Sequence, residues 1–161
     1  MRFYLPTEEN IKCLGRTAYN EGMLWCAYSG SGAEFTAIGT KVVIHIVGDS
    51  AAVVPENTIN YARIGIYVNG TRVVDDMLTQ AEKSYTVFES SQPEEVTVTI
   101  VKLSEAAMST FAVKSIAVNA DGILYPTKPK DTYIEFVGDS ITCGYGVDDE
   151  NFEHEFTTAT E

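Results

Sequence analysis

The chain of 161 residues carries 23 acidic and 11 basic side chains, a formal net charge of −12, and 45% hydrophobic residues. That length and apolar content suit one full domain with its own core, plus a fragment of a second. The charge disfavours nucleic acid, whose phosphates need clustered Lys and Arg, and it disfavours anionic membrane surfaces, so a neutral partner is the easiest to accommodate.

The opening stretch MRFYLPTEEN has no apolar run and no small-residue cleavage site, so it does not read as a signal peptide. No apolar run in the chain is long enough for a spanning helix. From residue 11 to residue 120 the pattern is one of strands. Candidates are Ile11–Thr17, Met23–Tyr28, Ala33–Ile38, Lys41–Val47, Ala62–Val68, Thr71–Leu78, Ser84–Glu89, Glu95–Leu103 and Phe111–Asn119. They are rich in Val, Ile, Thr, Tyr and Phe, which fit a pleated, half-buried surface. Val96, Val98 and Ile100 alternate with Thr97 and Thr99, which predicts one dry face and one wet one. Lys41–Val47 is apolar on both faces apart from His45 and is expected at the centre of a sheet. Turn signals stand at Asn20–Gly22, Ser29–Gly32, Gly39, Gly48–Ser50, Asn69–Gly70 and Asp121–Gly122, with Asn69-Gly70 the strongest hairpin signal. Ser104–Met108 has the composition for a single helical turn. Many short strands with frequent turns predict a mainly β fold, an antiparallel jelly-roll β-sandwich over residues 1–125.

Composition changes after Tyr125. Pro126-Thr127-Lys128-Pro129-Lys130-Asp131 is linker-like and unable to continue a central strand, which places a linker at 126–132. A second unit is expected to begin at 133 with the strand Tyr133–Val137. Three cysteines, Cys13, Cys26 and Cys143, form no CxxC pair and are expected as buried free thiols in a reducing or anaerobic setting. With only His45 and His154 beside them, neither a metal nor another cofactor is expected.

The chemistry concentrates in Ile134–Gly146, IEFVGDSITCGYG. A serine hydroxyl attacks a carbonyl only when a base takes its proton and donors receive the oxyanion. Ser140 follows a buried-strand pattern and enters a helix, where free N–H groups face the reacting centre. Gly138 permits a tight approach, and Thr142 stands where a G-x-S-x-G elbow would need glycine. The chain contains its own control. Val47-Gly48-Asp49-Ser50 repeats Val137-Gly138-Asp139-Ser140 letter for letter, yet it continues Ala-Ala-Val-Val-Pro, a strand end and loop. Gly-Asp-Ser alone is therefore weak, and the continuation to Gly146 carries the signal.

That block resembles the first conserved block of the SGNH (GDSL-like) hydrolases. The wider arrangement is similar to the family 2 carbohydrate esterases, with Gly15-Arg16-Thr17, the Trp25 to Gly39 region and Tyr67-Val68-Asn69-Gly70 resembling their sandwich half. The resemblance implies an N-terminal jelly roll followed by the first strand and turn of an incomplete α/β/α SGNH domain over 133–161. It implies deacetylation of polysaccharides such as xylan through an acyl-enzyme, in proteins that are commonly secreted. Ser140 would be the nucleophile and its backbone N–H an oxyanion donor, with Gly138 and Asp139 shaping the turn. The family's glycine and asparagine donors and its Asp-x-x-His base have no counterpart in these residues, and His154 lies outside that context. The isolated chain is accordingly expected to be inactive. Trp25 reads first as a core or half-core residue, with sugar stacking as the alternative, and Tyr145 as either a cleft wall or a packing residue. Expected partners are acetylated polysaccharides or oligosaccharides. The alternative function is a non-catalytic carbohydrate-binding or interaction module. The lone strand at Tyr133 is expected to dock on the sandwich, pair with a second copy, or be disordered.

Overall fold

A computed structural model of the chain describes residues 1–54, 60–143 and 150. Ten strands follow in order: β1 (Arg2–Tyr4), β2 (Lys12–Leu14), β3 (Thr17–Asn20), β4 (Met23–Cys26), β5 (Gly32–Gly48), β6 (Arg63–Val68), β7 (Thr71–Met77), β8 (Glu82–Lys102), β9 (Phe111–Val118) and β10 (Ile123–Pro126). All their pairings are antiparallel. The mainly β, jelly-roll-like expectation holds, and its geometry rests on two strands longer than the sequence suggested.

Strand β5 joins the two segments expected at Ala33–Ile38 and Lys41–Val47, and β8 joins those at Ser84–Glu89 and Glu95–Leu103. They pair along their lengths, with register shifts at Gly39/Lys41 and Val42/Val43. Gly39 is a bulge rather than a turn. A Cβ there would meet Asn119 Oδ1 at 2.1 Å, and that oxygen accepts the Thr40 N–H at 2.7 Å. The bulge bends the pair, and one ten-stranded sheet curls into two facing layers. In one, the second half of β5 sits between β8 and β9, and β9 carries β4 and β1 on its far edge. In the other, the first half of β5 sits between β8 and the short strands β2 and β10, and β8 continues to β6 and β7. Lys41–Val47 is central, as its two apolar faces predict.

Local chemistry explains the remaining boundaries. The expected strand Ile11–Thr17 breaks at Gly15, whose φ of +60° turns the chain from β2 in one layer to β3 in the other. Glu21 and Gly22 (φ +52° and +77°) make a two-residue hairpin between β3 and β4, and Asn69-Gly70 (φ +50° and +81°) makes the predicted one between β6 and β7. Ser104–Met108 forms a turn, closed by Met108 N–H donating to Glu105 O at 3.2 Å, without becoming a helix.

The core lies between the layers, with Phe35, Val42, Ile44, Ile46, Ile64, Ile66, Ile100, Phe111 and Ile116 all buried. Val96, Val98 and Ile100 face it, whereas Thr97 and Thr99 are half-buried rather than fully wet. Lys102 continues that inward row and is only 1% exposed. Its stem is packed, and its ammonium donates to Ser104 O at 2.8 Å, Ser104 Oγ at 3.1 Å and Glu105 O. Burying a cation is tolerated there because carbonyl and hydroxyl oxygens replace its water.

Two further expectations need correction. Cys13 is exposed, because the short edge strand β2 turns its thiol outward, while Cys26 is buried as expected. Tyr133–Val137 is not a strand. A strand needs a ladder partner for its N–H and C=O groups, and none pairs with it among the described residues. Its apolar side chains stand in solvent, with Phe136 81% and Val137 91% exposed.

The chain leaves the sandwich at a fixed point. Pro126 ends β10 opposite Phe35, tolerated because β10 is an edge strand. Thr127 Oγ1 then donates to Glu34 Oε1 at 2.6 Å, while Lys12 and Thr99 bind the same carboxylate. Burial alone would raise the Glu34 pKa, but these donors outweigh it and hold it below the ordinary 4.5. A depressed carboxylate stabilises the fold above its unfolded pKa, and that contribution fades as pH falls through the folded value. Acid denaturation below about pH 4.5 should therefore be shallower in Glu34→Gln than in wild type when stability is measured by urea titration at stepped pH. Identical slopes would remove Glu34 from the acid response.

Candidate functional site

The two Val-Gly-Asp-Ser copies allow a direct comparison of what the tetrapeptide builds. At the end of β5, Asp49 caps a 3₁₀ turn, Ser50–Val53, with Oδ1 accepting the Ala51 N–H at 2.9 Å. Its Oδ2 accepts the Thr110 N–H at 2.7 Å and the Thr110 hydroxyl at 3.1 Å. At the second copy, Asp139 precedes a single helical turn, α1 (Ser140–Cys143), and its Oδ1 accepts the Ile141 N–H at 3.0 Å and the Thr142 N–H at 3.4 Å. Both aspartates use the same oxygen on the residue two positions on, as an N-cap does. Both glycines are required by space. A Cβ at Gly48 would lie 2.5 Å from Ala52 Cβ, and one at Gly138 would lie 2.1 Å from Thr142 Oγ1. The tetrapeptide thus encodes a joint between an outgoing chain and a helical turn, and the chemistry must come from elsewhere.

The surroundings of the two joints differ. Asp49 ties its turn to the start of β9, so the turn that begins at Ser50 is anchored to the sandwich end although Ser50 itself is exposed. The Ser140 joint stands in an exposed segment, with Ile141 87% accessible. The structure describes the backbone position of Ser140; the side chains of Ser140 and Cys143, and all of Tyr145, Gly146 and His154, lie outside the described residues. Of the residues expected around it, Asp139 accepts the Ile141 N–H and Gly138 lies close against Thr142. His45 sits on β5 with Nδ1 2.8 Å from Ser84 Oγ and its ring 5.8 Å from that of Phe3. That is a packed, surface-facing histidine engaged within the sandwich.

Trp25 points away from the core, since its neighbours Leu24 and Cys26 are the inward residues of β4. It is half-buried beside Ala112 and Ala18, and its indole N–H is closed off from solvent with no acceptor among the described residues. Two described cavities lie elsewhere, and neither Trp25 nor the described part of the Ser140 turn lines them. One, of about 610 Å³, opens between the loop Pro6–Glu9 and the inner-facing Thr17, Tyr19 and Leu24 of the β3–β4 hairpin, with Cys13 on its wall. The sequence signal for it was the Asn20–Gly22 turn, which requires a strand on either side and so implied β3. The second, of about 530 Å³, surrounds Arg63, Asp75 and Asp76. Its charges are already matched. Arg63 grips Asp75 through two bonds of 2.8 and 3.0 Å, Arg72 lies 3.1 Å away, and Lys83 and the Tyr85 hydroxyl both donate to Asp76. The Arg63 bond holds the Asp75 carboxyl below its usual range, and burial followed by Asp76 pushes the Tyr85 phenol up. Among the described residues, no group of three or more His, Cys, Asp and Glu is placed to hold a metal ion.

The pairing of one cap in packed protein with its twin in solvent gives a contrast in stability. Asp49→Ala should cost about 2 kcal/mol, whereas Asp139→Ala should stay within about 0.5 kcal/mol of wild type. Chemical denaturation of both variants checks this, and equal losses would mean that the second joint is packed as firmly as the first.

Comparison with known proteins places these features. The chain is 25% identical over 140 residues to the cellulase/esterase CelE of Acetivibrio thermocellus, covering 84% of this chain and 16% of that protein. A family two carbohydrate esterase from Cellvibrio japonicus superposes with a TM-score of 0.79 at 18% identity, over 99% of this chain and 45% of that one. One from Clostridium thermocellum, in complex with cellohexaose, gives 0.75 at 24% identity, over 94% and 44%. The chain therefore spans a sixth of the curated relative and under half of these solved structures. Residues 13–127 match the carbohydrate esterase 2 N-terminal family, and the chain belongs to that family.

Proposed function

We propose that these residues form the N-terminal sandwich and the nucleophile-bearing turn of a serine carbohydrate esterase that removes acetyl groups from polysaccharides such as xylan. The observation that carries this is the order of two features along one chain: a family sandwich over 13–127, then a Gly-Asp-Ser-Ile-Thr-Cys-Gly-Tyr-Gly block whose Asp-capped turn starts a helix at Ser140. Ser140 would attack the acetyl carbonyl, its own N–H would help receive the oxyanion, and a histidine supplied from outside these residues would take and return the proton. The cellohexaose bound to the Clostridium thermocellum relative supports a polysaccharide partner. In the protein extended through its downstream coding region, Ser140→Ala should lower kcat/KM on an aryl acetate by about 10³-fold or more. The 161-residue chain should be inactive. Unchanged activity in Ser140→Ala, or Ser140-dependent hydrolysis by the short chain, would overturn this reading.

The exposed Tyr133, Ile134, Phe136 and Val137 favour one further property of the chain by itself. An apolar segment without a ladder partner pairs with its like, so the 161-residue chain should self-associate. Sedimentation should show dimers that Phe136→Glu returns to monomers; a wild-type monomer at high concentration would contradict it.

A further inference from the structure

The cavity beside β3 is built differently from the other polar features of the sandwich. Its loop is rigid. Asn10 Nδ2 donates to Leu5 O at 2.9 Å and to Thr7 Oγ1 at 3.2 Å, and the N–H groups of Asn10 and Ile11 both reach Thr7 O at 2.8 Å. The opposite wall is a β-hairpin rooted in the core through Leu24, which is 2% exposed. Between these walls the functional groups are left open. Tyr19 is 50% exposed and lines the cavity. Glu8 and Glu9 are exposed, and among the described residues neither takes part in an ion pair. This contrasts with the Arg63 cleft, whose carboxylates are taken up by Arg, Lys and Tyr. The volume of about 610 Å³ falls within the ~300–1,000 Å³ of small-ligand sites.

We propose that this cavity is a binding site for a neutral oligosaccharide, with one sugar ring stacked on Tyr19 and its hydroxyls donating to Glu8 and Glu9. A sugar presents both an apolar C–H face and vicinal hydroxyl donors, the two features that the walls accept. Carboxylates can only accept hydrogen bonds here, so the ligand must be the donor. The chain's charge of −12 and the two rim carboxylates repel an anionic glycan. The site deepens the proposed function by giving the sandwich its own hold on the polysaccharide, apart from the Ser140 turn.

Cys13 on the cavity wall supplies the test. It is exposed, while Cys26 is buried and its thiol is pushed up to about 12, chiefly by burial. In a Cys143→Ser background, a neutral alkylating reagent such as iodoacetamide should therefore report on Cys13. Saturating cellohexaose or xylohexaose should slow its modification about fivefold or more, and a galacturonic acid oligomer should not. Tyr19→Phe should keep the protection, and Tyr19→Leu and the double variant Glu8→Gln/Glu9→Gln should lose it. Wild-type labelling unaffected by either neutral oligosaccharide, protection that survives Tyr19→Leu, or equal protection by the acidic oligomer would each overturn the proposal. Failure of the esterase reading appears instead as loss of Ser140 dependence in the extended protein, so the two can fail separately.

Discussion

The sandwich depends on the pairing of two long strands, β5 and β8, and on their bending together at Gly39. A flat pair of that length would expose one apolar face to water. Bending at a bulge lets the first half of β5 roof the second half of the neighbouring layer, so Phe35, Val98 and Ile100 meet Val42, Ile44 and Ile116 across one dry interior. The bend is itself held, since Asn119 at the end of β9 reaches into the bulge and takes up the Thr40 N–H. Other elements attach to these strands as edge pieces. That explains why β1, β2, β3 and β10 can be three or four residues long: each pairs with an already formed strand, and most add little core of their own.

This dependence also sets what the sequence can reveal. Alternation at Val96–Ile100, the apolar run at Lys41–Val47 and the Asn69-Gly70 hairpin are local signals, and each appears in the fold where the residues placed it. The continuity of β5 and β8 was not legible, because Gly39 looks like turn chemistry unless the residue filling the bulge, 80 positions away, is known. The short edge strands were missed for the converse reason: their pairing comes from a neighbour and not from their own propensity. The Gly15 break hid inside a plausible strand. Buried Lys102 sits in an inward register position, where polarity alone would have placed it outside.

For the site, the sequence held a control that the structure makes physical. Identical tetrapeptides adopt the same aspartate cap, one locked to β9 and the other standing free. What separates Ser140 from Ser50 is its surroundings, and at Ser140 those lie outside the sandwich. The groove beside Tyr19 was invisible in sequence because it is assembled from a loop and a hairpin that carry no motif. Its residue types become informative only once β3 is seen to face the loop.

The Thr127–Glu34–Lys12 knot limits how far the chain beyond it can roam. Six peptide units separate Thr127 from Tyr133, a reach of at most about 20 Å even when fully stretched. Anything attached beyond Tyr133 starts within that radius of β2 and β5, on a tether stiffened by Pro129. Whatever follows therefore meets that end of the sandwich at an effective concentration set by the length of the tether and not by diffusion.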